Sequence, residues 1–364
     1  MSGAKGLTQG IAPRVLLATF ALGAAGGGLF TLAGVPLGML LGSLLAVAVA
    51  AAAGVRFFGQ VPAVPQGWRL VLMPVIGVAI GAGFPVDFLE QAARWWLTLL
   101  ALVVFVPLAH LIGWGVYRHI GRVEPRTAYF AAMPGGFFEA LEMGERAGAD
   151  MALLVALQFL RLILCIICIP IAFALLTGQL VGSGGGMDWP GAGEPLLAWD
   201  MMVLGLAGLG GWWLAAQLRL PAAVLSGPLL LSGLAHVTGL TAAAPPEWMI
   251  LFTQWVVGTA LGSRFAGFGP RLLWLALRLS ALSVVLMMVL AVAIAMLLAG
   301  PAGEAKLAVV LAFAPGGITE MSLVALSLQM SAVYVTMHHL LRIVLAVIVA
   351  RIGLRFLPGP ARNP

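Results

Sequence analysis

The sequence predicts an all-α polytopic membrane protein built from two inverted repeats. Each repeat has about five crossing helices and one broken or re-entrant segment, a plan like that of secondary transporters. Three observations predict this. Of 364 residues, 62% are hydrophobic and only 9% charged, and a soluble chain of this length would expose far more charge. The apolar runs are long and rich in Leu, Ala, Val and Gly; barrel strands would be short and alternating, so helices fit better. The motif Pro-Gly-Gly-x-x-Glu occurs twice, as Pro134-Gly135-Gly136 with Glu139 and as Pro315-Gly316-Gly317 with Glu320.

The repeat follows from register. Residues 75–84, VIGVAIGAGF, match 256–265, VVGTALGSRF, at five of ten positions. The shift is 181 residues, and it also carries Pro134 onto Pro315, Glu139 onto Glu320 and Arg161 onto Arg342. Upstream, Pro36 and Gly42 match Pro221 and Gly227 at a shift of 185. Background Leu/Ala identity would not place Pro, Gly, Glu and Arg in register. The domains are therefore a first membrane repeat over 1–178, a Gly-rich linker over 179–198 and a second repeat over 199–364.

Apolar segments run near 12–32, 35–54, 68–84, 94–117, 127–138 and 151–177 in the first repeat. In the second they run near 199–217, 220–240, 247–264, 271–299, 306–328 and 330–357. The first could pass for a signal peptide, but 199–217 opens the second half in the same way, so it reads as a retained span. Tryptophans such as Trp68, Trp95, Trp96, Trp199, Trp248 and Trp274 fall near segment ends, as interfacial anchors do. Basic residues cluster at Arg14, at Arg118, Arg122 and Arg126, at Arg264 and Arg271, and at Arg351 and Arg355. Positive-inside counting makes all of these cytoplasmic, together with both termini, only if the fifth segment of each half dips in and returns. Five crossings then insert the second half upside down. The alternative, since 306–328 is long enough to span, is that these segments cross as discontinuous helices and the counting fails at one end.

The chemistry centres on the two breaks. Proline removes a donor, glycine loosens the chain, and hydrocarbon satisfies none of the backbone groups set free. Half-helix N-termini favour anions and freed carbonyls favour cations. Glu139 and Glu320 follow the breaks by less than one turn; a carboxylate at membrane depth needs a cation or a donor, which suits an H⁺ or Na⁺ site. Arg161 and Arg342 lie deep in apolar helices and need partners, for which the two Glu are the obvious choice. A buried ion pair and a guanidinium grip on an anionic solute both follow from that placement. Helical spacing sets Gln158 beside Arg161, and His338 and His339 beside Arg342. Thr319 adds a hydroxyl at the second break, while Phe137 and Phe138 flank the first, so the half-sites are unequal. Gly77/Gly81 and Gly258/Gly262 are small-xxx-small patterns, read as close helix packing.

The duplicated segments MPGGFFE and APGGITEMSL, the following LQFLRLIL and HHLLRIVL, and the VVGTALGSRF stretch resemble the bacterial AbrB-type membrane protein family. The resemblance covers nearly the whole chain. It implies a multi-pass protein of the bacterial inner membrane, and it brings two further functional labels, regulator of gene expression and ammonia monooxygenase. It assigns no catalytic residue. The small soluble DNA-binding proteins that share the AbrB name have a fold that this chain would not adopt.

The leading expectation is an ion-coupled secondary transporter of a small, anionic solute, working by alternating access, with no cofactor beyond H⁺ or Na⁺ as coupling ion. A membrane regulator acting without transport is the alternative. An enzyme is not expected: a copper or iron monooxygenase would need clustered ligands, and His110, His119 and His236 are scattered among the five histidines. No metal site is expected, and Cys165 and Cys168 lie in an apolar run with no neighbouring charge to activate a thiolate. A net charge of +6 is spread over short loops rather than gathered in a basic module, which argues against nucleic acid. The expected partners are a small solute and the bilayer; a homodimer is compatible with the sequence, which marks no interface.

Overall fold

A computed structural model describes residues 10–35, 37–85, 87–177, 196–328 and 330–357. Pro36, most of the 179–198 linker and the two extreme termini lie outside the described residues. The chain is all-α, with no strand among the described residues beyond an isolated bridge between Phe57 and Gln60. Among the described residues, five helices are long and apolar enough to cross a membrane, so this is a polytopic membrane protein. The chain divides into two compact units, each drawing on both halves of the sequence.

One unit comprises residues 1–86, 170–268 and 326–333. It holds α1 (Pro13–Leu32), α2 (Gly38–Ala52), α3 (Gln66–Gly81), α9 (Ala198–Gln217), α10 (Ala223–Val237) and α11 (Glu247–Gly262). Helices α1 and α2 pack together, as do α9 and α10; α3 then packs on α10 and α11 on α2. Glycine makes these approaches possible. A Cβ on Gly42 would strike the Gly26 carbonyl, and one on Gly227 would strike that of Gly211. Gly77 and Gly81 lie against the Leu225 and Leu229 carbonyls, and Gly258 and Gly262 against those of Leu40 and Leu44. Every contact therefore recurs with the halves exchanged, which is the signature of a two-fold relation. The backbone repeats even its unusual points: Leu37 before α2 and Ala222 before α10 are both left-handed, at φ 50° and 48°. For residues with a Cβ that conformation is uncommon, so its recurrence is inherited geometry.

The other unit comprises residues 87–169, 269–325 and 334–364. It contains a short α4 (Phe88–Arg94), then α5 (Trp96–Gly115) extended by a π turn, Val116–Ile120. The first broken segment is α6 (Pro125–Ala131) and α7 (Phe137–Arg146), followed by α8 (Met151–Thr177), of which residues up to Ile169 belong here. The second half contributes α12 (Pro270–Ala302), α13 (Lys306–Phe313), α14 (Ile318–Ser327) and α15 (Ala332–Gly353). Helices of seven to ten residues are far too short to span a bilayer alone.

The first broken segment turns back on itself. Arg126, at the start of α6, donates to the Ala147 carbonyl just past the end of α7, and the Asp150 amide donates to Thr127 Oγ1. A straight helix would hold residues 126 and 147 roughly 30 Å apart. The re-entrant expectation is met here. Glu124 anchors the turn into α6, accepting from the amides of Thr127 at 2.8 Å and Arg126 at 3.0 Å. Burial alone would raise its carboxyl pKa, but those donors outweigh it and hold the group below the usual range. Two elements were not anticipated: α4, and the continuation of α7 through 139–146, whose polar face carries an exposed Arg146–Glu142 pair at 2.6 Å.

The glycine contacts predict a contrast. Gly227→Ala drives a methyl into a neighbouring backbone and is expected to cost about 1–3 kcal/mol. Gly210→Ala, one position from Gly211 but facing open space, is expected to be neutral or stabilising by up to about 1 kcal/mol. Thermal unfolding of both in one detergent checks this.

Candidate functional site

Both breaks, both deep arginines and both histidines fall in the second unit. At the first break α6 ends and leaves carbonyls without intrahelical donors. Arg161, on α8, donates through Nη1 to the Met133 carbonyl. Its Nη2 donates to Gln158 Oε1 at 2.8 Å, and Gln158 Nε2 donates to the Phe130 carbonyl at 2.8 Å. At the second break Arg342, on α15, donates through Nη1 to the Ala314 carbonyl and through Nη2 to Gly316 O at 2.7 Å. Nη2 also meets His339 Nδ1 at 3.0 Å, and His339 Nε2 meets the Leu311 carbonyl at 2.9 Å.

The same shift of 181 relates Phe130 to Leu311, Met133 to Ala314, Gln158 to His339 and Arg161 to Arg342. A glutamine and a histidine thus do one job: each accepts from a guanidinium and passes a donor on to a freed carbonyl. Because Arg342 can only donate, His339 Nδ1 must accept, which fixes the neutral tautomer with hydrogen on Nε2.

These contacts correct the expected arginine–glutamate pairing. Among the described residues neither Arg161 nor Arg342 forms an ion pair, although both are fully buried. Each is matched instead by the negative end of a half-helix. The glutamates sit at the opposite ends. Gly136 is the N-cap of α7 in a left-handed conformation, φ 70°, and the Glu139 carboxylate folds back over it, 3.0 Å from where a Cβ would be. The Glu320 carboxylate folds over Gly317 more tightly still. A carboxylate in the first helical turn, facing the N-cap, offsets the positive helix end. Glu320 is buried and Glu139 only partly so. Thr319 is buried beside Glu320, and Ser322 bonds to Thr336 at 2.6 Å. Pro134 and Pro315 are buried at the two turns.

The breaks come together at Arg342. A Cβ on Gly135 would lie 3.4 Å from Arg342 Nε, whose hydrogen has no acceptor. At the equivalent position in the other break, Gly316, the Met321 side chain fills the space.

The polar contacts of His338 lie away from the break carbonyls, although its ring is 5.9 Å from that of Phe313 at the end of α13. Its Nδ1 meets the Tyr334 carbonyl at 2.8 Å and its Nε2 meets Thr98 Oγ1 at 2.9 Å, while Thr98 also reaches the Trp95 carbonyl at 2.9 Å. Nδ1 must donate. A neutral ring with its hydrogen on Nδ1 is completed when the Thr98 hydroxyl turns to Nε2. Trp95 Nε1 in turn donates to Glu304 at 3.0 Å, and burial raises the Glu304 carboxyl pKa despite that bond. Nothing in the sequence flagged Thr98, Trp95 or Glu304 as a connected chain. The two cysteines are unpaired, Cys165 buried and Cys168 exposed.

The family model described as transition state regulatory protein AbrB matches residues 39–358. The chain belongs to the AbrB family. It is 24% identical over 349 residues to the "Uncharacterized protein YhjN" of Bacillus subtilis, covering 90% of this chain and 89% of that one. It is 22% identical over 245 residues to the "Putative regulator AbrB" of Escherichia coli, covering 67% of each. The model match spans both breaks and both arginines.

The Gln158–His339 equivalence makes His339→Gln a mild change and His339→Leu a severe one. The leucine removes one of the two donors to the Leu311 carbonyl, leaving only the Ala314 amide, and takes an acceptor from Arg342, at a cost of about 1–3 kcal/mol. Thermal unfolding of the two variants side by side tests this; equal losses would refute the shared role.

Proposed function

We propose that this AbrB-family protein is a secondary transporter of a small, anionic solute, coupled to H⁺ or Na⁺ and working by alternating access. The observation that carries this reading is the meeting of the two breaks at Arg342, where a buried N–H donor is left facing Gly135. Two guanidinium groups buried without carboxylate partners favour an anion. Glu320, buried at the second break, is the coupling carboxylate in this reading, with Glu139 its weaker counterpart. The membrane is the bacterial inner membrane with cytoplasmic termini, on the placement of the basic residues. No chemical step is assigned to the protein.

The decisive experiment screens small carboxylates for thermal stabilisation of purified protein across pH and with or without Na⁺, then follows uptake of any hit into vesicles under an imposed gradient. Glu320→Gln is expected to abolish gradient-driven uptake while the protein stays folded. Arg342→Lys loses the fork that spans two carbonyls and is expected to weaken the hit at least about tenfold, or about 1.4 kcal/mol. Parent-like uptake by Glu320→Gln would remove that residue from the site. A regulator without transport is favoured by the printed name of the Escherichia coli relative; it predicts binding in the screen with no accumulation in any vesicle.

A further inference from the structure

The first unit contains a groove of about 580 Å³ between α3, α9 and the start of α11. Val71, Pro74, Gly205, Leu209, Trp248 and Met249 line it, and no charged, hydroxyl or amide side chain does so. Its counterpart across the two-fold exchange is full. There Phe20 stacks on Trp68 at 5.8 Å and meets Trp255 edge-on at 5.3 Å, and Phe252 meets Trp255 at 5.6 Å. The correspondence is fixed by contacts: Gly23 faces Thr259 and Trp255, and Gly208 faces Val78 and Pro74. By the same shifts Phe20 corresponds to Gly205, Trp68 to Met249, Trp255 to Pro74 and Phe252 to Val71. All four replacements line the groove. The same backbone frame carries four rings on one side and a hollow on the other.

We propose that this groove binds the acyl chain of a membrane phospholipid. Water finds few polar partners there, and no charged, hydroxyl or amide side chain is present to orient a polar solute. An acyl chain matches the apolar lining, and Trp248, largely exposed at the rim, suits the headgroup level. The chain takes the place that the aromatic cluster fills in the other half. The inference does not depend on the transport reading.

The test uses purified full-length protein. Retained phospholipid is counted by native mass spectrometry, and rebinding is followed as a rise in unfolding temperature when palmitoyl-oleoyl phosphatidylethanolamine is added to delipidated protein. The parent is expected to retain one lipid per chain at this site. Gly205→Phe and, separately, Val71→Phe install the counterpart ring; Gly205 has nothing within 4 Å of a Cβ, and Val71 is well exposed. Excluding as little as two methylenes should weaken rebinding about tenfold. Leu206→Phe, exposed but outside the lining, should bind as the parent does. A parent that neither retains nor rebinds lipid would overturn the proposal, as would ring-filled variants that bind like the parent. Variants that dissociate a dimer with lipid content unchanged would assign the groove to a second copy of the chain and overturn it equally.

Discussion

A helix interrupted inside hydrocarbon leaves carbonyls that no solvent will satisfy, and the second unit is organised around supplying their donors. Each break draws them from the next long helix, as an arginine and the residue three positions before it. Only a guanidinium can bridge two acceptors from one rigid plane; an ammonium would serve as a point charge. That is why a full positive charge is tolerated at depth. It faces a half-helix C-terminus carrying about half a negative charge, and the carboxylates of Glu139 and Glu320 occupy the corresponding positive ends. Four ionisable side chains and four half-helix ends thus form a matched set with no direct ion pair between them.

Duplication repeats this solution and also lets it drift. Contacts that fix the backbone are kept: small residues at each helix crossing, left-handed Leu37 and Ala222 at matching positions, arginine at both breaks. Contacts that need only a donor and an acceptor are free to change chemistry, and glutamine became histidine at 339 or the reverse. Where packing alone is at stake the drift is widest, since the frame that holds Phe20, Trp68, Trp255 and Phe252 holds only Gly, Met, Pro and Val on the other side.

Much of the fold was legible because hydrocarbon imposes simple rules. Segment positions followed from apolar runs, and the breaks from Pro-Gly-Gly. The glycine spacings of 77/81 and 258/262 marked true helix contacts. The arginines' partners were not legible, because backbone carbonyls have no letter in the sequence. Reading charged residues alone suggested glutamate as the partner, when the freed ends of α6 and α13 were nearer and sufficient. The Gln158–His339 equivalence was visible as an alignment, but its meaning needed the directions of the two rings of hydrogen bonds. The apolar segment ends at 138 because Glu142, Glu145 and Arg146 are polar; α7 continues through them as a helix, with Glu142 and Arg146 paired one turn apart on its exposed face. Thr98 has Leu279 as its repeat counterpart, so no duplication pointed to it.

The unequal halves differ in what lies against each arginine. Both have a buried Nε without an acceptor, so donor count does not separate them. Their surroundings do. Arg342 faces the bare backbone of Gly135, whereas the face of Gly316 is covered by Met321. The residue equivalent to Met321 in the first half is Ala140, too short to cover Gly135 in the same way. A change of spacing between the two breaks therefore alters what Arg342 Nε meets. On the Gly316 side the flexible thioether can follow such a change and keep the backbone covered. A methionine where the other half has alanine thus leaves the two turns unequal, one glycine open to Arg342 and the other covered by a thioether.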